Sequence, residues 1–235
     1  MRNAASVAPN ADEKAGAETL ASIAYQRLRE DIINAKHTPG GKLRVQELAE
    51  RYALGPSPIR EALNRLSRDG LVTLSDRRGF SVTPLSREHL EELTKTRCWL
   101  NELALRKAIA EGDAAWEEGV VLAYHRLTRI PRYLDDERGA KVYNPAWELA
   151  HRAFHSALIA ACGSRWLIGF CEQLFDAADC YRHLSRVSSL QRLQRKDEHQ
   201  QMVDAVTRRD ADAAVELLMG HFTRTAELVR QRLES

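Results

Sequence analysis

Cysteine is sparse in this chain, and its four positions are scattered. Cys98, Cys162, Cys171 and Cys180 contain no C-x-x-C pair, and no two lie closer than nine residues. A nine-residue step on a helix turns a side chain by about 180°, so 162, 171 and 180 face opposite sides in turn. All four read as reduced core thiols. No run of 18 apolar residues occurs, which excludes a membrane-spanning helix. The opening residues also lack the apolar core of a signal peptide, so the expected location is cytoplasmic, with no membrane partner. Nor does one sign of charge dominate. Thirty-five Lys and Arg oppose 33 Asp and Glu, a net +2 that supplies no global field for a polyanion. Divided at residue 85, the first part holds 13 basic against 10 acidic residues and the remainder 22 against 23. The balance leans toward a basic N-terminal module.

What is present falls into two parts. Residues 1–17 are small, polar and Ala-rich, and read as a disordered tail. From 18 to 84 the pattern is helix, helix, helix, hairpin. Leu20, Ile23, Ala24, Leu28 and Ile32 keep helical spacing up to a Pro-Gly-Gly stop. A short helix carries Leu48, Ala49 and Tyr52. A third starts at Ser57, carries Ile59, Ala62, Leu63 and Leu66, and closes at Gly70. "LVTL" and "FSVTP", joined by "SDRRG", make a β-hairpin. From 85 to 235 the chain reads as helix only: 86–112, 113–130, 146–162, 165–187, 189–208 and 211–233, with a polar loop over 131–145. Ser86, Ser164, Ser188 and Asp210 stand at the cap positions. The fold class is therefore mostly α, a winged helix-turn-helix followed by an all-α helical bundle.

In a winged helix-turn-helix the second helix of the motif enters the DNA major groove by its N-terminal end, while basic groups grip phosphate. The candidate DNA-contacting residues are Arg44, Ser57, Arg60, Arg65, Arg77, Arg78 and Gly79. Arg77, Arg78 and Gly79 form the hairpin tip, where two guanidiniums beside a glycine can approach a sugar-phosphate backbone.

The stretch "PGGKLRVQELAERYALGPSPIREALNRLSRDGLVTLSDRRGFSV" resembles the GntR family of bacterial transcription regulators over residues 20–84. "PIREALNRL" and "DGLV" stand in order at the family's spacing. The resemblance implies that Ser57 and Arg60 contact DNA and that Gly79 sits at the wing tip. Many members carry Ser or Thr and then a base-reading Arg where this chain has Gly55 and Pro56. Proline has no donor for guanine, so the operator is expected to differ from the family's common half-site.

The helical part carries four histidines in suggestive settings. His151 and His155 are four apart beside Phe154 and Leu158, so both rings leave one face of a helix. His199 shares spacing with Met202, Val203 and Val206, and His221 with Leu218, Thr225 and Leu228. A buried imidazole without partners costs about 1–3 kcal/mol. A divalent ion would satisfy four at once, because neutral imidazole is its usual nitrogen donor. His37, His89, His125 and His183 show no such grouping.

"R-x-x-L" at 97–100, "H-x-x-F-H" at 151–155, "E-H" at 198–199 and "M-x-H" at 219–221 resemble the FCD domain of the FadR subgroup of GntR regulators. The resemblance implies that His151, His155, His199 and His221 hold a metal and that Arg97 binds effector. His151 replaces the Asp of most relatives. An all-nitrogen set favours Zn, or Ni, over Mn. Asn101 stands where the family usually has Glu.

The expected function is that of a metabolite-responsive transcriptional regulator, mostly a repressor in this family. It would bind a palindromic operator as a homodimer, with a divalent metal and a small carboxylate effector in the helical domain. The alternatives are a regulator whose metal is structural or absent, and a zinc hydrolase using Glu198 as general base.

Overall fold

The structure, a computed structural model, describes residues 19–75, 78–135, 141–186 and 198–233. The expected disordered tail, Arg77 and the Ser188 cap lie outside the described residues.

Helix α1 (Leu20–Ile33) opens at Thr19, whose hydroxyl accepts from the Ser22 amide. Helix α2 (Val45–Tyr52) ends in Ala53 in the left-handed conformation. Helix α3 (Pro56–Arg68) begins one residue before the expected Ser57, because Pro56 fits the first helical position, where no amide donor is needed. Gly70, at φ +77°, takes the left-handed turn that frees the chain from α3. The fully buried Ile59, Ala62, Leu63 and Leu66 of α3 pack with Ala24 and Leu28 of α1.

Behind them lies a three-stranded antiparallel sheet. Strands β1 (Lys42–Leu43), β2 (Val72–Ser75) and β3 (Gly79–Val82) are ordered β1-β3-β2, with Leu74 opposite Phe80 and Ser75 opposite Gly79. The expected hairpin is β2–β3. The two residues of β1 are too few to show alternation, so sequence periodicity missed them.

The helical domain comprises α4 (Arg87–Glu111), α5 (Ala114–Thr128), α6 (Pro145–Ile159), α7 (Arg165–Arg186), α8 (Glu198–Thr207) and α9 (Ala211–Leu233). Ser86, Asp113, Ser164 and Asp210 each accept an amide three residues on, capping four of these helices. Leu105, Val120, Phe154, Leu158, Met202, Val206 and Leu218 form its core. The segment 131–145, read from sequence as loop, contains a second hairpin. Strand β4 (Tyr133–Asp135) pairs with β5 (Lys141–Tyr143). Tyr133 and Tyr143 meet edge-on at 5.9 Å. Three-residue strands leave no period to detect.

Candidate functional site

Helix α6 starts at Pro145 behind an Asn144 cap and turns Trp147, His151, Phe154, His155 and Leu158 inward. One turn apart, His151 and His155 bring their Nε2 atoms to 3.1 Å. Helix α8 adds His199 in its first turn, and α9 adds His221. One ligand atom from each of the four rings lies within 4.8 Å of the others. Four nitrogens about 2.0–2.1 Å from one ion stand about 3.4 Å apart in a tetrahedron, the same scale.

The rings are short of partners. His151 Nδ1 and His199 Nε2 are buried without a hydrogen bond. Burial, then repulsion from the neighbouring histidines, holds His151 and His155 well below the usual imidazole range. Burial and His221 push His199 down to about 3. Burial also lowers His221, against the pull of Glu198. Neutral rings keep the lone pairs that a metal ion requires. The donor set and its orphaned nitrogens therefore fit a late divalent ion.

A carboxylate stands behind the cluster. Glu198 accepts from His221 Nδ1 at 2.8 Å and from Arg224 Nε at 2.9 Å. The His221 bond, with help from Arg224, holds its pKa at about 2 despite burial. Such an acid is a weak base, and its oxygens are committed, one to His221 and the other to Arg224. That removes the general base the hydrolase alternative requires.

Arg97, on α4, is buried beside the cluster. Its guanidinium lies 4.0 Å over the Phe222 ring and 5.6 Å from Phe175. Its Nε has no hydrogen-bond partner, and burial followed by Arg182 brings its pKa down to about 9. Asn101 donates to the Arg97 carbonyl at 2.9 Å and brings no charge to the guanidinium. Glu102 turns outward to Arg106. Arg182, by contrast, pairs with Asp179 and, at 3.2 Å, with Glu148.

Sequence reasoning missed two supports of the cluster, one aromatic and one cationic. Trp147 stacks on His151 at 4.6 Å and 15°, and Arg132 lies 4.4 Å over the Trp147 ring. Trp147 is four residues before His151, so its contact was legible from helical spacing. Arg132 reaches it from the hairpin approach, which sequence did not reveal.

On the reading head, Ser57 and Arg60 are exposed on α3, and Asn64 and Arg68 continue the outward stripe. Arg44 is exposed and paired with Glu47 at 2.6 Å. Arg78 and Gly79 are exposed at the wing, and Gly79 has φ +74° with open space where a Cβ would stand. Arg65 turns elsewhere: its guanidinium lies 4.4 Å over the Tyr25 ring and donates to Ser22 Oγ at 3.4 Å. Five residues from Arg60 is a rotation of about 140°, which places Arg65 at the α1–α3 joint. These contacts set Arg65 apart from the exposed Ser57, Arg60, Asn64 and Arg68.

Residues 20–82 match the bacterial regulatory proteins of the gntR family, and residues 92–224 match the FCD domain. The chain belongs to the GntR family. It is a DNA-binding transcriptional regulator of the FCD-containing subgroup. This GntR regulator is 36% identical over 221 residues to the uncharacterised HTH-type transcriptional regulator BphR of Paraburkholderia xenovorans LB400, covering 92% of this chain and 88% of that one. It is 34% identical to the HTH-type transcriptional repressor GlaR of Escherichia coli K12, covering 92% and 98%. Escherichia coli McbR/YncC shares its fold with TM-score 0.73 at 17% identity, over 92% of this chain and 100% of that one. The family and these relatives are transcriptional regulators, not enzymes. Among the described residues, no helix is long and apolar enough to cross a membrane.

Proposed function

We propose that this regulator is a metal-dependent sensor of a small organic acid, acting in the cytoplasm as a homodimeric repressor on a palindromic operator. The observation that carries this reading is the neutral four-histidine cluster, with orphaned nitrogens, beside a buried guanidinium whose Nε has no hydrogen-bond partner. His151, His155, His199 and His221 would hold one divalent ion, zinc in preference and nickel as the alternative. When bound, the ion supplies a Lewis-acidic position for a carboxylate oxygen. Arg97 gives the effector carboxylate a charge-assisted partner that the apo protein withholds. Glu198 fixes the His221 ring, and Trp147 fixes His151. On DNA, Ser57 and Arg60 meet the groove, while Arg44, Arg77, Arg78 and Gly79 hold the backbone. Effector binding changes the balance of helical-domain states and so the placement of the two reading heads. Repression is supported by the designation of the relative GlaR.

The test is metal analysis of the purified protein, then a thermal-shift screen of small organic acids with and without chelator. An acid that raises the melting temperature only of metal-loaded protein supports the sensor. Stabilisation indifferent to chelator makes the metal structural or removes it from the mechanism.

A further inference from the structure

Helix α7 carries two stripes with different clients. Phe175, Asp179 and Arg182 are spaced four and three apart and face the cluster. The Phe175 ring is 6.2 Å from His151 and 5.9 Å from His155, and the Arg182 guanidinium lies 4.1 Å over it. Gln173, Asp176 and Cys180 are spaced three and four apart and face the reading head. Gln173 donates to the carbonyl of Arg68, the last residue of α3, at 2.8 Å. Cys180 packs against the reading-head core. Asp176 meets both domains: Oδ2 accepts from Arg29 Nε of α1 at 3.2 Å, and Oδ1 is shared between Arg29 and Arg152. Arg152 follows His151 on α6.

We propose that Asp176 is the tie through which the histidine cluster sets the position of the DNA-binding domain, by way of Arg152 on one side and Arg29 on the other. This rests on the reading above that the cluster is the responsive site. One carboxylate serves two guanidiniums, so its hold on one weakens as its hold on the other strengthens. A movement of α6 that accompanies rearrangement of His151 and His155 must carry Arg152 with it and alter the grip on α1. The tie is little screened by solvent, since the Arg29 and Asp176 side chains are only 18% and 12% exposed. Coupling is reciprocal, so duplex bound at α3 must in turn be felt at α6.

The experiment is hydrogen–deuterium exchange on the full-length chain with two probes, zinc alone and an operator duplex selected from a random library. In the native sequence zinc changes exchange in residues 20–33, and duplex changes it in 145–159. In Arg29→Gln and Asp176→Asn each probe still protects its own domain, while the cross-domain change is lost. Arg29→Gln leaves the Arg152–Asp176 pair in place and so reports even if Asp176→Asn folds poorly. A cross-domain response that survives in Arg29→Gln overturns the tie, as does its absence from the native sequence. Failure of zinc to bind defeats the metal reading instead, and the duplex arm then decides the tie alone.

Discussion

Glu198 accepts the Nδ1 proton of His221 at 2.8 Å, which leaves Nε2 as the lone-pair nitrogen of that ring. This is a carboxylate–histidine arrangement of the kind that fixes tautomer and ring orientation at metal sites. Replacing Glu198 by Gln keeps the size but weakens the acceptor. Zinc affinity should fall about 10–100-fold with the helical content unchanged. Competition titration against a chromophoric chelator measures it, and an unaltered affinity would show that His221 is not held for a metal.

Arg97 is buried with no ion pair among the described residues. A hydrophobic replacement of similar length removes the desolvation cost of its charge. Arg97→Met should stabilise the metal-free protein by about 1–3 kcal/mol and abolish its response to any acid found in the thermal-shift screen. Chemical denaturation gives the first and the screen the second. A loss of stability would mean that the guanidinium serves packing, not a ligand.

Arg60 and Arg65 lie five residues apart on one helix and have different surroundings. Arg60→Ala should weaken operator binding by about 1–3 kcal/mol. Arg65→Ala should cost about 0.5–1 kcal/mol of folding stability through the lost contact with Tyr25 and leave operator affinity nearly as it was. Fluorescence anisotropy at fixed moderate salt, paired with thermal melts, separates the two. Equal losses of affinity would place Arg65 beside Arg60 in the DNA-contacting set.

How much of this was visible beforehand depended on periodicity. His151 and His155 declared themselves because four residues make about one helical turn, and His199 and His221 because they share a face with Met202 and Leu218. Convergence of three helices on one point is a tertiary fact that spacing cannot express; the shared need of four inward imidazoles for partners suggested one ion, and the resemblance to the FCD domain joined them. The α7 contacts of Asp176 and Phe175 were equally hidden: Asp176 looks like any helix-surface acid until Arg29, 147 residues away, is beside it. Strands β1, β4 and β5 were too short to alternate. The contact of Arg65 with Tyr25 was hidden as well, because a basic residue on a recognition helix is read by type before its angle on the helix is known.

Asp31 holds the reading head together at α2. It accepts from the Tyr52 hydroxyl at 2.6 Å and from Lys36 Nζ at 2.7 Å. Burial alone would raise its pKa, but these two hydrogen bonds and the charges of Lys36 and Arg51 hold it below the usual carboxylate range. A depressed folded pKa contributes stability above the unfolded value of about 3.9, and the contribution is lost as pH falls through the folded one. The native sequence should exceed Asp31→Asn by about 1–3 kcal/mol at pH 7, with the gap closing below about pH 4. Thermal melts across that range check it, and a gap independent of pH would contradict the ionic role.

The central claim, that His151, His155, His199 and His221 cage one ion, is tested most directly by X-ray absorption at the zinc edge on the loaded protein. The account predicts one zinc per chain, a nitrogen or oxygen shell at about 2.0–2.1 Å and multiple scattering from four imidazoles that drops to three in His155→Ala. A sulfur shell near about 2.3 Å, or scattering from two or fewer imidazoles, would contradict it.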